Sequence, residues 1–232
     1  MPKIEQRRAC LRNLLDSGEV IVAPGAYDAL TAKLIEQMGF QAAYVTGAGV
    51  AVTKLGVPDI GLVAMTEQLE TAKNIVNSTQ IPIICDIDTG YGNALNLMRT
   101  VREFERIGVS AVQVEDQLTP KRCGHIDGKQ LVSQDEMLRK IEAFKKARTS
   151  TDLFLIARTD ALAVYSFNDA IRRAEAYAEA GADAIFIEAP CSIEEIEKIP
   201  KLLSGIHLVI NMVEGSEKTP LLDLNEIGRA HV

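Results

Sequence analysis

No apolar run in these 232 residues approaches the roughly 20 that a membrane-spanning helix needs, so no membrane partner is expected. The basic start M-P-K-I-E-Q-R-R is not followed by an apolar h-region, and no secretory signal is read there. C-x-x-C pairs are missing: Cys10, Cys85, Cys123 and Cys191 lie far apart. With only three histidines (His125, His207 and His231), no zinc-ligand spacing forms either. Scattered thiols of this kind suit a reduced, cytoplasmic protein better than a disulfide frame. Basic stretches are short and the net charge is −7, which argues against nucleic acid as a partner. Neither G-x-G-x-x-G nor a P-loop occurs, so the usual cradles for dinucleotides and phosphate tails are lacking.

What is present is a chain of single-domain length with 47% hydrophobic and 25% charged residues, an ordinary globular balance. An amphipathic helix is predicted over residues 3–17. After it a unit recurs: a short apolar strand, a polar loop, a helix closed by glycine. The predicted strands are Val20–Ala23, Ala42–Thr46, Pro82–Asp86, Ala111–Glu115, Leu153–Ala157, Ala184–Glu188 and His207–Asn211. Helices are predicted at 27–38, 66–77, 94–107, 134–148, 168–180 and 193–203, with Asn93 and Ser133 as N-caps. Seven such units predict a parallel α/β sheet of (β/α)₈ TIM-type barrel form rather than a doubly wound sheet. No eighth strand is read before Val232. The expectation is one barrel domain over residues 1–232, truncated after its seventh strand, as a fragment or as an open barrel.

A barrel carries its chemistry at the C-terminal ends of its strands. Those ends read V-T-G, C-D-I-D-T-G, V-E-D-Q, A-R-T-D, I-E-A and I-N-M. Asp86 and Asp88 are two apart and share a face if the strand extends that far. With Glu115 and Glu188 they place four carboxylates beside one strand-end cation, Arg158. Such a cluster stays ionised only with compensation, which a hard dication supplies: Mg²⁺, or Mn²⁺ with similar ligand preferences. Strand-end acids capping neighbouring helix N-termini are the structural reading of the same residues. No strand ends in lysine, which disfavours a Schiff-base aldolase. The loop Thr46-Gly47-Ala48-Gly49 is either a tight βα turn or a set of backbone N–H groups for a carboxylate.

The segment Pro120–Gly128, P-K-R-C-G-H-I-D-G, sets Cys123 among Lys121, Arg122 and His125, and cations there predict a lowered thiol pKa. It is either a solvated basic loop or a gate with Gly124 and Gly128 as hinges. A metal and Arg158 would bind a 2-oxo or 2-hydroxy acid and stabilise the enolate of a breaking carbon–carbon bond, and a mobile cysteine would handle the proton.

These residues resemble the isocitrate lyase/phosphoenolpyruvate mutase superfamily. Lys121-Arg122-Cys123-Gly124-His125 is similar to the K-[KR]-C-G-H signature of its lyase branch, and Asp86–Asn93 to its metal-site stretch. Pro24–Asp28, Pro58–Gly61, Val114–Gln117 and Ala157–Asp160 match as well, so the resemblance covers nearly all of residues 5–225. It implies a Mg²⁺-dependent lyase acting on a small polycarboxylate, a branched 2-hydroxy di- or tricarboxylate, and a homo-oligomer like the family's tetramers. It implies Asp86 on the metal, with Asp88 and Glu115 acting through its waters. Thr46, Gly47 and Ala48 would hold the oxo-acid carboxylate, and Asp59 would fix the site beside it. Cys123 would be the general acid/base, with Gly124 and His125 beside the second product. Arg158, Glu188 and Asn211 would contact substrate carboxylate or hydroxyl groups.

Gln113 stands where methylisocitrate lyases tend to have histidine, and with D-T-G-Y-G-N it looks more like dimethylmalate lyase and oxaloacetate-cleaving relatives. The family's eighth strand and its exchanged C-terminal helix are not found. Two further readings remain: a phosphonomutase of the same superfamily, which would not need Cys123-Gly124-His125, and a truncated, inactive barrel.

Overall fold

The computed structural model describes residues 4–213 and 218–230, and the predicted helix start at Lys3 lies outside them. After helix α1 (Ile4–Asp16) come β1 (Gly25–Ala26), α2 (Ala29–Gln37), β2 (Ala43–Val45), α3 (Gly47–Val50), α4 (Met65–Ser78) and β3 (Ile83–Asp86). The chain continues through α5 (Ala94–Ile107), β4 (Ala111–Glu115), α6 (Gln134–Ala147), β5 (Phe154–Thr159) and α7 (Ala161–Val164). It ends with α8 (Phe167–Glu179), β6 (Ala184–Ile187), α9 (Ile193–Leu202), β7 (His207–Val209) and α10 (Leu224–Ala230). Seven strands, all parallel and in sequential order, form one curled sheet of the TIM-barrel kind, with β1 and β7 at its edges among the described residues. No helix among them is long and apolar enough to cross a membrane.

The period of two along each strand sorts the side chains. Val45, Ile83, Cys85, Val112, Val114, Leu155 and Ile185 face the helices and pack with Ile75, Val101, Phe104, Met137, Ile141 and Phe144. Ala111, Phe154, Ile156, Ala184 and Phe186 point inward, where Leu11 and Leu15 of α1 close the lower end. Continuing the inward alternation upward reaches Asp86, Glu115, Arg158 and Glu188, so the register that packs the barrel also aims its charges. Predicted caps hold: Asn93 accepts from Leu95 N and Asn96 N, and Ser133 from Glu136 N. Gly39, Gly108 and Gly181 turn left-handed after α2, α5 and α8 (φ 88°, 90° and 104°).

Four expectations change. Val20–Ala23 is not in the sheet; pairing starts where Pro24 O accepts from Tyr44 N, because proline has no N–H to continue the ladder backwards. The seventh strand stops at Val209, leaving Asn211 exposed on the following loop. The fifth runs to Thr159, taking Arg158 into the ladder. The T-G-A-G stretch is no plain tight turn: it winds into α3, and residues 51–55 continue as a π-helical turn that Gly56 ends at φ 65°.

Candidate active site

Asp86 closes β3, and Gln68 of α4 donates to its carbonyl oxygen at 3.0 Å. Strand alternation does not bring Asp88 beside it. Asp88 sits at φ 49°, a left-handed turn costly for an ordinary residue, and its N–H donates to Asp86 Oδ1 at 3.0 Å. That turn makes the two carboxylates converge: a Cβ added to Gly47 would lie 3.1 Å from Asp86 Oδ2 and 3.3 Å from Asp88 Oδ1. Glycine at 47 lets the start of α3 approach both.

Lys121 supplies a cation that strand ends did not reveal as part of this cluster. Its Nζ bridges Asp59 Oδ1 at 2.5 Å and Asp88 Oδ1 at 2.8 Å. Burial opposes its charge, yet Asp88, Glu115, Asp86 and Asp59 together raise its pKa. Burial still pushes Asp88 up to about 6, against the pull of Lys121. Glu115 is 1% exposed, and burial holds it well above the usual carboxylate range. Its nearest cation is Arg158 Nε at 3.3 Å from Oε2, and neither carboxylate oxygen has a hydrogen-bond partner among the described residues.

Arg158 is aimed by Asp160, which accepts from Nε and Nη2, each at 3.0 Å. Its guanidinium also lies 5.3 Å from the centre of the Phe186 ring. Burial disfavours its charge, but Asp160, Glu188 and Glu115 raise its pKa overall. Asp160 in turn rests on Asp116, whose Oδ1 accepts the Asp160 N–H at 3.1 Å.

The Cys123 loop covers this floor. Gln117 clamps its leading end, accepting from Arg122 N at 2.9 Å and donating to Arg122 O at 2.8 Å. Cys123 N donates to Asp59 O at 2.9 Å, and His125 Nδ1 lies 3.4 Å from Glu188 Oε1. Burial lowers the His125 pKa, with Arg158 adding to the effect, so the imidazole is neutral. The expected activation of Cys123 by its sequence neighbours does not occur. Lys121 is turned to Asp59 and Asp88, and Arg122 Nη1 to Asp127 O at 3.0 Å. Burial therefore raises the thiol pKa, which keeps Cys123 protonated at neutral pH.

Thr46, Ala48, Asp59, Asp86, Cys123, Gly124, His125, Arg158, Glu188 and Asn211 all line one cavity of about 1610 Å³, and Gly47 stands against its Asp86 wall. Thr46 spends its hydroxyl on capping α3, accepting from Gly49 N at 3.2 Å. The first N–H groups of α3, those of Gly47 and Ala48, have no acceptor within the helix. Sequence reasoning missed Lys121 as a partner of Asp88, and also Lys129, Gln117 and Asp160. Asp160 had a usable signal, lying two residues beyond Arg158 at a strand end. The Lys121–Asp88 pairing spans 33 positions and had none.

Gly124 has no room for a side chain: an added Cβ would lie 2.0 Å from Glu188 Oε1 and 2.4 Å from its Cδ. Glu188 lies between His125 and Arg158, so Gly124→Ala must displace either its carboxylate or the loop, and both disturb the site. Turnover is expected to fall about 100-fold, the cost of misplacing a catalytic group by about 1 Å, while the melting temperature stays unchanged. Wild-type turnover in this variant would show that the loop closes elsewhere.

Among the described residues no three carboxylate, imidazole or thiol groups converge to chelate an ion together. The donor set nevertheless fits a hard dication held by few protein ligands and many waters. Asp86 faces the cavity, Asp88 lies beside it, and Glu115 keeps two buried oxygens without donors.

A curled parallel sheet with acids and an arginine at its upper rim, under a cysteine-bearing loop, has the architecture of a barrel enzyme with its site at the C-terminal ends of the strands. Residues 11–232 match the family model described as phosphoenolpyruvate phosphomutase. The chain is 48% identical over 219 residues to 2,3-dimethylmalate lyase of Eubacterium barkeri, covering 94% of this chain and 75% of that protein. It is 42% identical over 227 residues to 2-methylisocitrate lyase of Aeropyrum pernix, covering 98% and 72%. Its fold superposes on oxaloacetate acetylhydrolase in complex with 3,3-difluorooxalacetate with a TM-score of 0.93 at 37% identity, covering 97% of this chain and 77% of that one. It also superposes on phosphonopyruvate hydrolase in complex with oxalate and Mg²⁺ with a TM-score of 0.85 at 36% identity, covering 97% and 77%. The chain belongs to the phosphoenolpyruvate mutase/isocitrate lyase superfamily and is a lyase of it.

Proposed function

We propose that this chain is a Mg²⁺-dependent carbon–carbon lyase that cleaves a branched 2-hydroxy dicarboxylate, 2,3-dimethylmalate foremost, to pyruvate and a second carboxylate. The convergence of Asp86, Arg158 and Glu188 at the strand ends with Cys123 of the covering loop, all on the wall of one cavity that runs on down the barrel interior, carries this reading. Asp86 would hold the cation directly, with Asp88 and Glu115 reaching it through water; the cation, Mg²⁺ or Mn²⁺, would supply positive charge for the oxo-acid oxygens. The open N–H groups of Gly47 and Ala48 and the guanidinium of Arg158 suit the substrate carboxylates. Glu115, whose oxygens have no donor, suits the proton of the 2-hydroxyl as the carboxylate that Arg158 and the bound cation would favour.

As the carbon–carbon bond breaks, its electron pair passes to the carbon that becomes the second product. Cys123, kept protonated by burial, donates its proton to that carbon. The neutral His125 and Gly124 stand beside it against Glu188. Gln113, at a position where 2-methylisocitrate lyases tend to have histidine, favours that substrate over 2-methylisocitrate.

Assaying 2,3-dimethylmalate, 2-methylisocitrate, citramalate and oxaloacetate with Mg²⁺ tests the reading. Pyruvate should form fastest from 2,3-dimethylmalate, stop with a chelator and return with added Mg²⁺. Rearrangement of phosphoenolpyruvate without any carbon–carbon cleavage in the panel would replace it with a mutase activity.

A further inference from the structure

The tip of the Cys123 loop meets the barrel at few points, and one of them is a buried amine just past the loop's end. Lys129 has a side chain 2% exposed. Its Nζ donates to the carbonyl oxygen of Gly124, the residue after Cys123, and lies 3.7 Å from Asp160 Oδ1. Asp160 is the carboxylate that grips Arg158 through two hydrogen bonds, and it also accepts from Gln117 Nε2 at 3.2 Å. One buried carboxylate thus anchors both the arginine of the floor and the lysine of the lid. The clamp of Gln117 on Arg122 and the bond from Cys123 N to Asp59 O fix the loop's leading end. Past them the tip is held by Lys129, by His125 against Glu188 and by Lys218 on Asp127 Oδ1 at 2.7 Å, of which only Lys129 reaches the Gly124 backbone from inside.

We infer that Lys129 is a positioning residue, an internal latch that ties Gly124 to Asp160 and so brings Cys123 over the site in register with Arg158. Its ammonium is out of water, so it needs both acceptors: the Gly124 carbonyl exists at that point only in the closed loop, and Asp160 is held there by Arg158 and Asp116. Opening the tip strips the ammonium of its hydrogen-bonded acceptor, which opposes opening. Lys129→Met keeps most of the aliphatic stem and removes the donor. The open population should then rise about 10- to 100-fold, the equilibrium weight of one hydrogen bond to a charged group. For turnover this inference rests on the lyase reading. For loop closure it does not.

The test is iodoacetamide labelling of the intact chain at mildly alkaline pH, resolved cysteine by cysteine by peptide mass spectrometry, without substrate. In Lys129→Met, Cys123 should label about 10- to 100-fold faster than in wild type. Buried Cys85, with 0% exposure, stays unlabelled and reports that the fold is intact. Loss of a nearby cation does not by itself make a thiol more reactive, so acceleration means access. Lys129→Arg retains a donor for both acceptors and should restore most of the protection. With substrate, kcat should fall in Lys129→Met while KM stays near wild type, since the groups of the floor remain. An unchanged Cys123 rate overturns the latch. So does joint labelling of Cys123 and Cys85, which would make Lys129 a support of the fold as a whole. If no substrate in the panel is cleaved, the lyase reading fails, and labelling still decides the latch.

Discussion

Replacing Cys123 by serine is expected to lower kcat by about 10²–10⁴, the usual contribution of a positioned acid or base, with little change in KM. Serine keeps the shape of the side chain and the bond from the backbone N–H to Asp59 O, so the loop still closes. What changes is the proton: a serine hydroxyl is a far weaker acid than a thiol. Burial already raises the Cys123 pKa, so on the proposed reading the thiol starts the cycle protonated and would donate to the carbon released on cleavage. Steady-state kinetics on 2,3-dimethylmalate with Mg²⁺, together with a thermal melt, would check this. A serine variant within tenfold of wild-type kcat would take Cys123 out of the proton transfer.

Asp116→Leu is expected to lower unfolding free energy by about 3–5 kcal/mol, the range for breaking a buried ion pair from one side. Asp116 is wholly buried and accepts from Thr159 Oγ1 at 2.7 Å, Arg173 Nη1 at 2.9 Å, Tyr177 OH at 2.8 Å and Asp160 N at 3.1 Å. Burial pushes its pKa up, but four donors converge on its two oxygens, and that geometry suits the carboxylate. Leucine would leave the buried Arg173 guanidinium with Val132 O, Tyr177 OH and the face of Tyr165, none of them a counter-charge. Urea denaturation measures the loss. A second variant, Asp116→Leu with Arg173→Leu, should recover part of it, because no lone charge is then left inside. A midpoint equal to wild type in the single variant would mean that the cluster carries little of the fold. Since Asp116 also holds Asp160, the single variant should loosen Arg158 and slow turnover in whatever fraction stays folded.

Much of the fold was legible because it rests on local physics. Ala111–Glu115 is apolar and β-branched enough to be read without error, and the caps at Asn93 and Ser133 are chemical signals confined to a few residues. Strand edges at Pro24 and Asn211 were misread because pairing depends on a neighbouring strand, which spacing along the chain does not specify. The inward charges could also be read in outline: Asp86, Arg158 and Glu188 lie at strand ends and line one cavity, with Glu115 buried against Arg158 behind them.

Amino-acid order alone thus determined the repeating strand–helix unit, the acid-rich rim and the family signature around Cys123. Tertiary structure decided who neutralises whom. Lys121 reads as a neighbour of Cys123, but the fold sends its ammonium to Asp59 and Asp88, which lie 62 and 33 positions earlier in the chain. The consequence is a sign change: a thiol expected to be acidified by adjacent cations is instead kept protonated by burial. Electrostatics acts through space and falls steeply with distance and solvent, so proximity in sequence names the charges without saying which of them meet.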